Sequence, residues 1–193
     1  FGIGQSVSRL EDPRLLTGRG IYLDDKKIDG VLRGYVLRSP HSHARIVSIE
    51  TSDARQAPGV HLVLTGEDFK ASGLGSQTPR IPRKRPHGED FFVSPQPALV
   101  SDTTKFAGDY VAFIVADTLE QALDASELVC VDYAPLPSVV DTAIASEEGS
   151  PAVWEGCPDN ISFLHELGAR EATDAAIDGA HLVVKQRFVI NRI

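Results

Sequence analysis

The stretch Tyr110–Pro137, "YVAFIVADTLEQALDASELVCVDYAPLP", constrains the fold more than any other part of the chain. "YVAFIVAD" is an almost continuous apolar run, the pattern of a strand covered on both faces. Thr118 follows, with Gln121 three residues on, which is the capping box that starts a helix. Leu119, Ala122, Leu123 and Ser126 then recur at i, i+3, i+4 and i+7, and Glu120, Asp124 and Glu127 mark the wet side. "LVCVDY" is a second strand, stopped by Pro135 and Pro137, and Cys130 within it reads as a small buried hydrophobe.

Upstream elements fit the same plan. "VLRGYVLRSP" is strand-like around Val31, Leu32, Tyr35, Val36 and Leu37, and ends at Pro40. "ARIVSIET" reads as a strand carrying Ile46 and Ile49, "SDARQAPG" as a short helix capped by Thr51 or Ser52, and "VHLVLTGEDF" as another buried strand. Strand, helix and strand in so few residues predict a mixed α/β unit. From Lys70 to Pro97 the periodicity is lost. "ASGLGSQTPRIPRKRPHGED" is a long excursion loop whose basic residues, Arg80, Arg83, Lys84 and Arg85, are answered locally by Glu89 and Asp90. Beyond the central block the sequence predicts a linker, then a strand at "ISFLHEL", a helix at "REATDAAIDG" closed by Gly179, and a final strand from His181.

Composition narrows the function. Hydrophobic residues make up 42% of 193, enough for a packed core. The net charge of −8 argues against a nucleic-acid partner held through phosphates. No apolar run approaches the ~20 residues of a membrane span. The two cysteines, Cys130 and Cys157, have no zinc or iron–sulfur spacing. No secretory leader is visible, so the cytoplasm is the expected setting. The sequence has no methionine and begins at Phe1. With an unfinished strand at the other end, it reads as an N-terminal piece of a longer protein.

Chemical motifs are scarce. "TGRG" lacks the lysine and further glycine of a P-loop, and "GIGQSV" follows no strand, so Gly18 and Gly20 read as turn residues. His41 and His43 form an i, i+2 pair without further ligands at metal-site spacing, and are expected at a polar strand edge. "DDKK" reads as a solvated turn around Lys26 and Lys27. No catalytic, cofactor-binding or metal-ligating residue is assigned. The charged opening stretch "RLEDPRLLTGRGIYLDD" remains.

Three linked blocks carry a resemblance. "GQSVSRLEDPRLLTGRGIYLDD", "VLRGYVLRSPHSHARIVSIETSDARQAPGV" and "FAGDYVAFIVADTLEQALDASELVCVDYAPLPSVVD" resemble, in order and spacing, the start of the molybdopterin-binding large subunit of the xanthine dehydrogenase, aldehyde oxidase and aerobic carbon monoxide dehydrogenase family. "NISFLHELG" and "DGAHLVVKQRFVINR" continue it. "FAGDY" places Asp109 where relatives often carry glutamate.

The resemblance implies an α/β (α+β) fold: an N-terminal arm at 1–16, an α/β-hammerhead domain at 17–132, a linker at 133–160, and at 161–193 the truncated first segment of the molybdopterin-binding domain. It implies a parent enzyme that oxidises an aldehyde, purine, N-heterocycle or carbon monoxide, with water as the oxygen source. Its cofactor is molybdopterin, as the cytosine dinucleotide. Iron–sulfur clusters and FAD lie on partner domains or subunits, in a dimer of heterotrimers. The cofactor loops and the catalytic glutamate lie outside this stretch. Arg9, Asp12, Arg14 and Arg19 are then expected at interdomain contacts, since guanidinium–carboxylate pairs give oriented contacts. The competing reading is a stand-alone, non-catalytic scaffold or assembly module.

Overall fold

The computed structural model describes residues 3–26, 28–79 and 81–188. In chain order the elements are helix α1 (Asp12–Leu16), strand β1 (Arg33–Arg38), β2 (Ala44–Glu50), α2 (Ser52–Gln56), β3 (Val60–Thr65), α3 (Gly66–Ala71), β4 (Thr103–Thr104), β5 (Tyr110–Ala116), α4 (Leu119–Glu127), β6 (Cys130–Pro135) and α5 (Arg170–Asp178). A 3-10 turn at Leu23–Asp25 lies between α1 and β1. Lys27, Arg80 and residues 189–193 of the expected final strand lie outside the described residues.

The strands form two antiparallel three-stranded sheets, ordered β1-β5-β3 and β4-β2-β6. β5 is the central strand of the first, paired along both edges, and from Val111 to Ala116 the residues of both its faces are buried or half-buried. Val111, Ala112, Ile114 and Ala116 are buried, and Ile114 is fully so. Full burial of a side chain this size contributes about 2 kcal/mol. Helix α4 lies against β1, β5 and β3. Its Thr118 hydroxyl accepts from the Gln121 amide at 3.2 Å, and the Gln121 side chain accepts from the Thr118 amide at 3.0 Å. The capping box read from the sequence is therefore formed at both ends.

The buried face of α4 is rotated from the expected one. Ala122, Ala125 and Ser126 are buried, whereas Leu119 and Leu123 are partly exposed to solvent, at 46% and 38%. Small side chains let the helix approach the sheet closely, and a leucine stripe would hold it off. The core joins Ala122 and Ala125 to Val63, Ile114 and Val129, with Ile49 and Val131 reaching in from the second sheet.

Four further expectations are corrected. The apolar run after Gly59 ends at Thr65, and "GEDF" begins α3 instead of prolonging the strand. Thr65 and Asp68 form a second capping box, with Thr65 N donating to Asp68 Oδ2 at 2.8 Å. The backbone bonds of Thr65, then its side chain, hold the Asp68 carboxyl below its ordinary value. Cys130 is exposed, because β6 alternates with Val131 and Tyr133 inward and Cys130 and Asp132 outward, whereas Cys157 is buried in the later segment. "ISFLHEL" forms no strand; its one β-bridge joins Leu164 to Lys84. The described part of the final run, 181–188, lies in no strand.

Ile46 and Ile49 are both half-buried although three apart, a spacing that a regular strand would place on opposite faces. A bulge between Ile46 and Ser48 supplies the missing residue and restores a common face. The α3 start meets the second half of the domain without clearance. A Cβ on Gly66 would lie 2.1 Å from the Val100 carbonyl oxygen, so only glycine fits there.

Candidate interdomain contact surface

The candidate contact residues sit on the opening segment, ahead of β1. Pro13 at the start of α1 fits its fixed φ to the helix, and Arg9 N donates to Asp12 Oδ2 at 3.3 Å. Arg14 Nη2 donates to Glu11 Oε1 at 3.1 Å. Gly18 closes the helix with φ +67°, the left-handed conformation at which glycine is favoured. Arg19 turns back and donates through Nε to Thr17 Oγ1 at 3.1 Å. Arg9, Arg14 and Arg19 are exposed and Asp12 is half-buried. Thus the structure brings the four residues onto one short helix–turn unit with local partners only.

The same segment carries apolar side chains turned to solvent: Ile3, Leu10, Leu16 (85% exposed) and Leu23 (87% exposed). No residue of α1 is buried. The other flank behaves alike. Every described residue from 163 to 188 is exposed, including Leu182, Val184 and Phe188. Two flanks that present this much apolar surface, rimmed by oriented charges, are suited to lie against further protein.

The remaining residues singled out in the sequence have structural partners. His41 meets the Tyr133 ring edge-on at 5.0 Å between centroids, and His43 Nδ1 is 2.8 Å from the Pro137 carbonyl. The pair therefore ties the entry of β2 to the exit of β6, the polar strand-edge role expected of it. Burial raises the pKa of the Tyr133 hydroxyl. Asp25 accepts from Tyr22 N at 2.9 Å, making a capped turn. Asp109 is 8% exposed and accepts from the amides of Lys105 and Tyr110 at 2.9 and 3.0 Å, so it organises the turn into β5.

Among the described residues, no three of His, Cys, Asp and Glu converge so as to hold a metal ion. Every described buried side-chain nitrogen or oxygen has a hydrogen-bond partner. The described residues thus present neither a ligand set nor an orphaned polar group suited to a molybdenum–pterin centre. No helix among them is long and apolar enough to cross a membrane. Local patterns also leave one pairing unmarked: Arg85 and Asp159 meet across 74 residues, with no motif joining them.

Two small antiparallel sheets and one capped helix packed through alanines, with flanks exposing apolar surface, define a mixed α/β domain. Residues 17–137 match the aldehyde oxidase and xanthine dehydrogenase a/b hammerhead domain, and the chain belongs to that family. All of it aligns, at 37% identity, with 24% of the carbon monoxide dehydrogenase large chain of Afipia carboxidovorans. Of the same chain, 94% aligns at 35% identity with 21% of the nicotine 6-hydroxylase large subunit of Paenarthrobacter nicotinovorans. Among solved structures, quinoline 2-oxidoreductase from Pseudomonas putida 86 superposes with a TM-score of 0.64 at 42% identity, over 77% of this chain and 18% of that one. The chain spans about a quarter of the length of the curated relatives it matches.

Proposed function

We propose that this chain is the hammerhead portion of the large subunit of a molybdenum-dependent oxidoreductase. The observation that carries this reading is the alignment of the whole chain with one quarter of a carbon monoxide dehydrogenase large chain. The parent oxidises a carbon centre in an aldehyde, purine, N-heterocycle or carbon monoxide. When bound, the molybdopterin (cytosine dinucleotide) centre supplies oxidation with water as the oxygen source, and electrons leave to iron–sulfur clusters and FAD on partner domains or subunits. The described residues offer that group no ligand set; in this reading the remainder of the large chain holds it and this segment alone is inactive. The complex is a dimer of heterotrimers in the cytoplasm.

Within the parent, the proposed division is an arm at 1–16, the hammerhead domain at 17–132, a linker at 133–160 and the first part of the molybdopterin-binding domain from 161. Arg9, Asp12, Arg14 and Arg19 contact neighbouring domains. Their placement beside exposed Leu10 and Leu16 supports this, since a charged rim around apolar side chains orients a contact while burial stabilises it.

The test is to purify the full-length gene product with the proteins that accompany it, and to measure molybdenum, pterin nucleotide, iron and flavin. The reading predicts all four, with substrate-dependent reduction of an electron-acceptor dye. An intact full-length protein without molybdenum contradicts it. Arg14→Glu combined with Arg19→Glu is expected to lower recovery of the assembled complex. Full solvent exposure of Arg9, Asp12, Arg14 and Arg19 in an intact complex would overturn the contact assignment.

A further inference from the structure

The excursion loop and the linker, both irregular, are built against each other. Arg85 lies in the loop and keeps only 17% of its side chain exposed, unusual for arginine. Its Nη2 donates to Asp159 Oδ2 at 2.5 Å and its Nη1 to Cys157 Sγ at 3.5 Å, while Glu89 Oε2 lies 3.7 Å from its Nε. Asp159 Oδ1 accepts from Ile161 N at 3.2 Å. The pairing read from the sequence is therefore incomplete. Lys84 does meet Asp90 at 2.6 Å, but the main partner of Arg85 comes from the linker.

Backbone contacts run alongside this pin. Leu164 N donates to Lys84 O at 3.0 Å and Phe92 N to Ser162 O at 3.1 Å, and the Ser162 hydroxyl returns to Phe92 O at 2.8 Å. Underneath, Phe92 and Trp154 pack at 6.1 Å, and Lys105 lies over the Trp154 ring at 4.7 Å. Asn160 holds the linker in its curve. It adopts φ 55°, accepts from Val153 N at 2.9 Å, and donates to the Ala145 and Pro151 carbonyls at 2.8 and 3.0 Å.

Neither segment has a sheet of its own to offset the entropy of ordering it. A largely buried guanidinium deprived of its carboxylate is strongly unfavourable. Each segment thus supplies what the other lacks. We propose that residues 84–92 and 153–164 form a strap that opens and closes as one unit, with the Arg85–Asp159 pair as its pin. Closure of the loop then sets the point from which the chain runs on towards α5. This inference rests on contacts within the chain and stands apart from the reading of the parent enzyme.

The test is hydrogen exchange on the full-length protein carrying Arg85→Met, Asp159→Asn or the exchanged pair Arg85→Asp with Asp159→Arg. Loss of the pin is expected to speed exchange in 84–92 and 153–164 together, by about tenfold or more, while 110–116 is unchanged. The exchanged pair is expected to restore part of the protection in both. If Arg85→Met prevents folding, the near-isosteric Asp159→Asn carries the comparison alone. Faster exchange in only one segment, or in neither, overturns the proposal.

Discussion

The hammerhead sheets and the two flanks obey opposite rules. In the sheets and on α4 a set of apolar residues faces inward: Val63, Val111 and Ile114 are fully buried, and Ala122 and Ala125 bring α4 onto the sheet. In 3–32 and 163–188 the apolar residues are just as plain in the sequence, yet Leu16, Leu23, Leu182 and Phe188 face outward. Hydrophobic content does not separate the two regions. Partners do: the core finds them within the chain, and on the proposed reading the flanks find theirs in neighbouring domains of the parent.

That contrast can be broken most sharply in the core. Ile114→Ala removes a fully buried side chain from the central strand and is expected to cost about 2–5 kcal/mol, read from denaturant unfolding. A loss comparable to a surface substitution would mean that β5 is not the centre of the core. Ala122→Leu asks whether α4 needs its small face, and overpacking there is expected to cost about 1–3 kcal/mol in the same assay. Thr118→Ala deletes the hydroxyl that caps α4, with an expected loss of about 1 kcal/mol.

Acid sharpens the comparison at the strap. The Arg85 hydrogen bond, followed by the Ile161 amide, holds the Asp159 carboxyl below its ordinary value. A carboxylate depressed on folding stabilises above its unfolded value, and that contribution fades as pH falls through the folded one. The groups facing the pair are Glu89 from the loop and Cys157 from the linker. Lowering the pH below about 4, the ordinary aspartate range, is therefore expected to speed exchange in 84–92 and 153–164. Protection of 110–116 should remain at the onset of that change. Equal loss in all three would tie the strap to the core. The smallest effect is expected on the arm. Arg14→Ala removes an exposed pair with Glu11 and should change the stability of this chain by less than about 0.5 kcal/mol.

How much of this could be read beforehand depends on the range of the interaction. The α4 capping box joins residues three apart, so "TLEQ" declares the helix start, and the buried, central place of β5 follows from its unbroken apolar run. The Thr65–Asp68 box of α3 is equally local, but it is masked by the apolar run before it. Leucine spacing misassigned the α4 face because close packing selected alanine. The period-2 pattern of "VCVDY" marks Cys130 as outward, against the general tendency of cysteine to be buried. Arg85 and Asp159 are different in kind. Each has nearer opposite charges in the sequence, and only the folded path brings them together. The contact role proposed for Arg9, Asp12, Arg14 and Arg19 would involve surfaces beyond this chain, so that proposal rests on the family resemblance and not on local pattern.

The most direct measurement is hydrogen exchange on residues 1–193 alone beside the same residues within the full-length protein. The account predicts equal protection of 110–116 and 119–127 in both samples, with 10–23 and 170–188 protected only in the full-length protein. Flanks that exchange at the same rate in both, or sheets protected only in the longer chain, would contradict a self-sufficient core whose flanks are completed by the rest of the subunit.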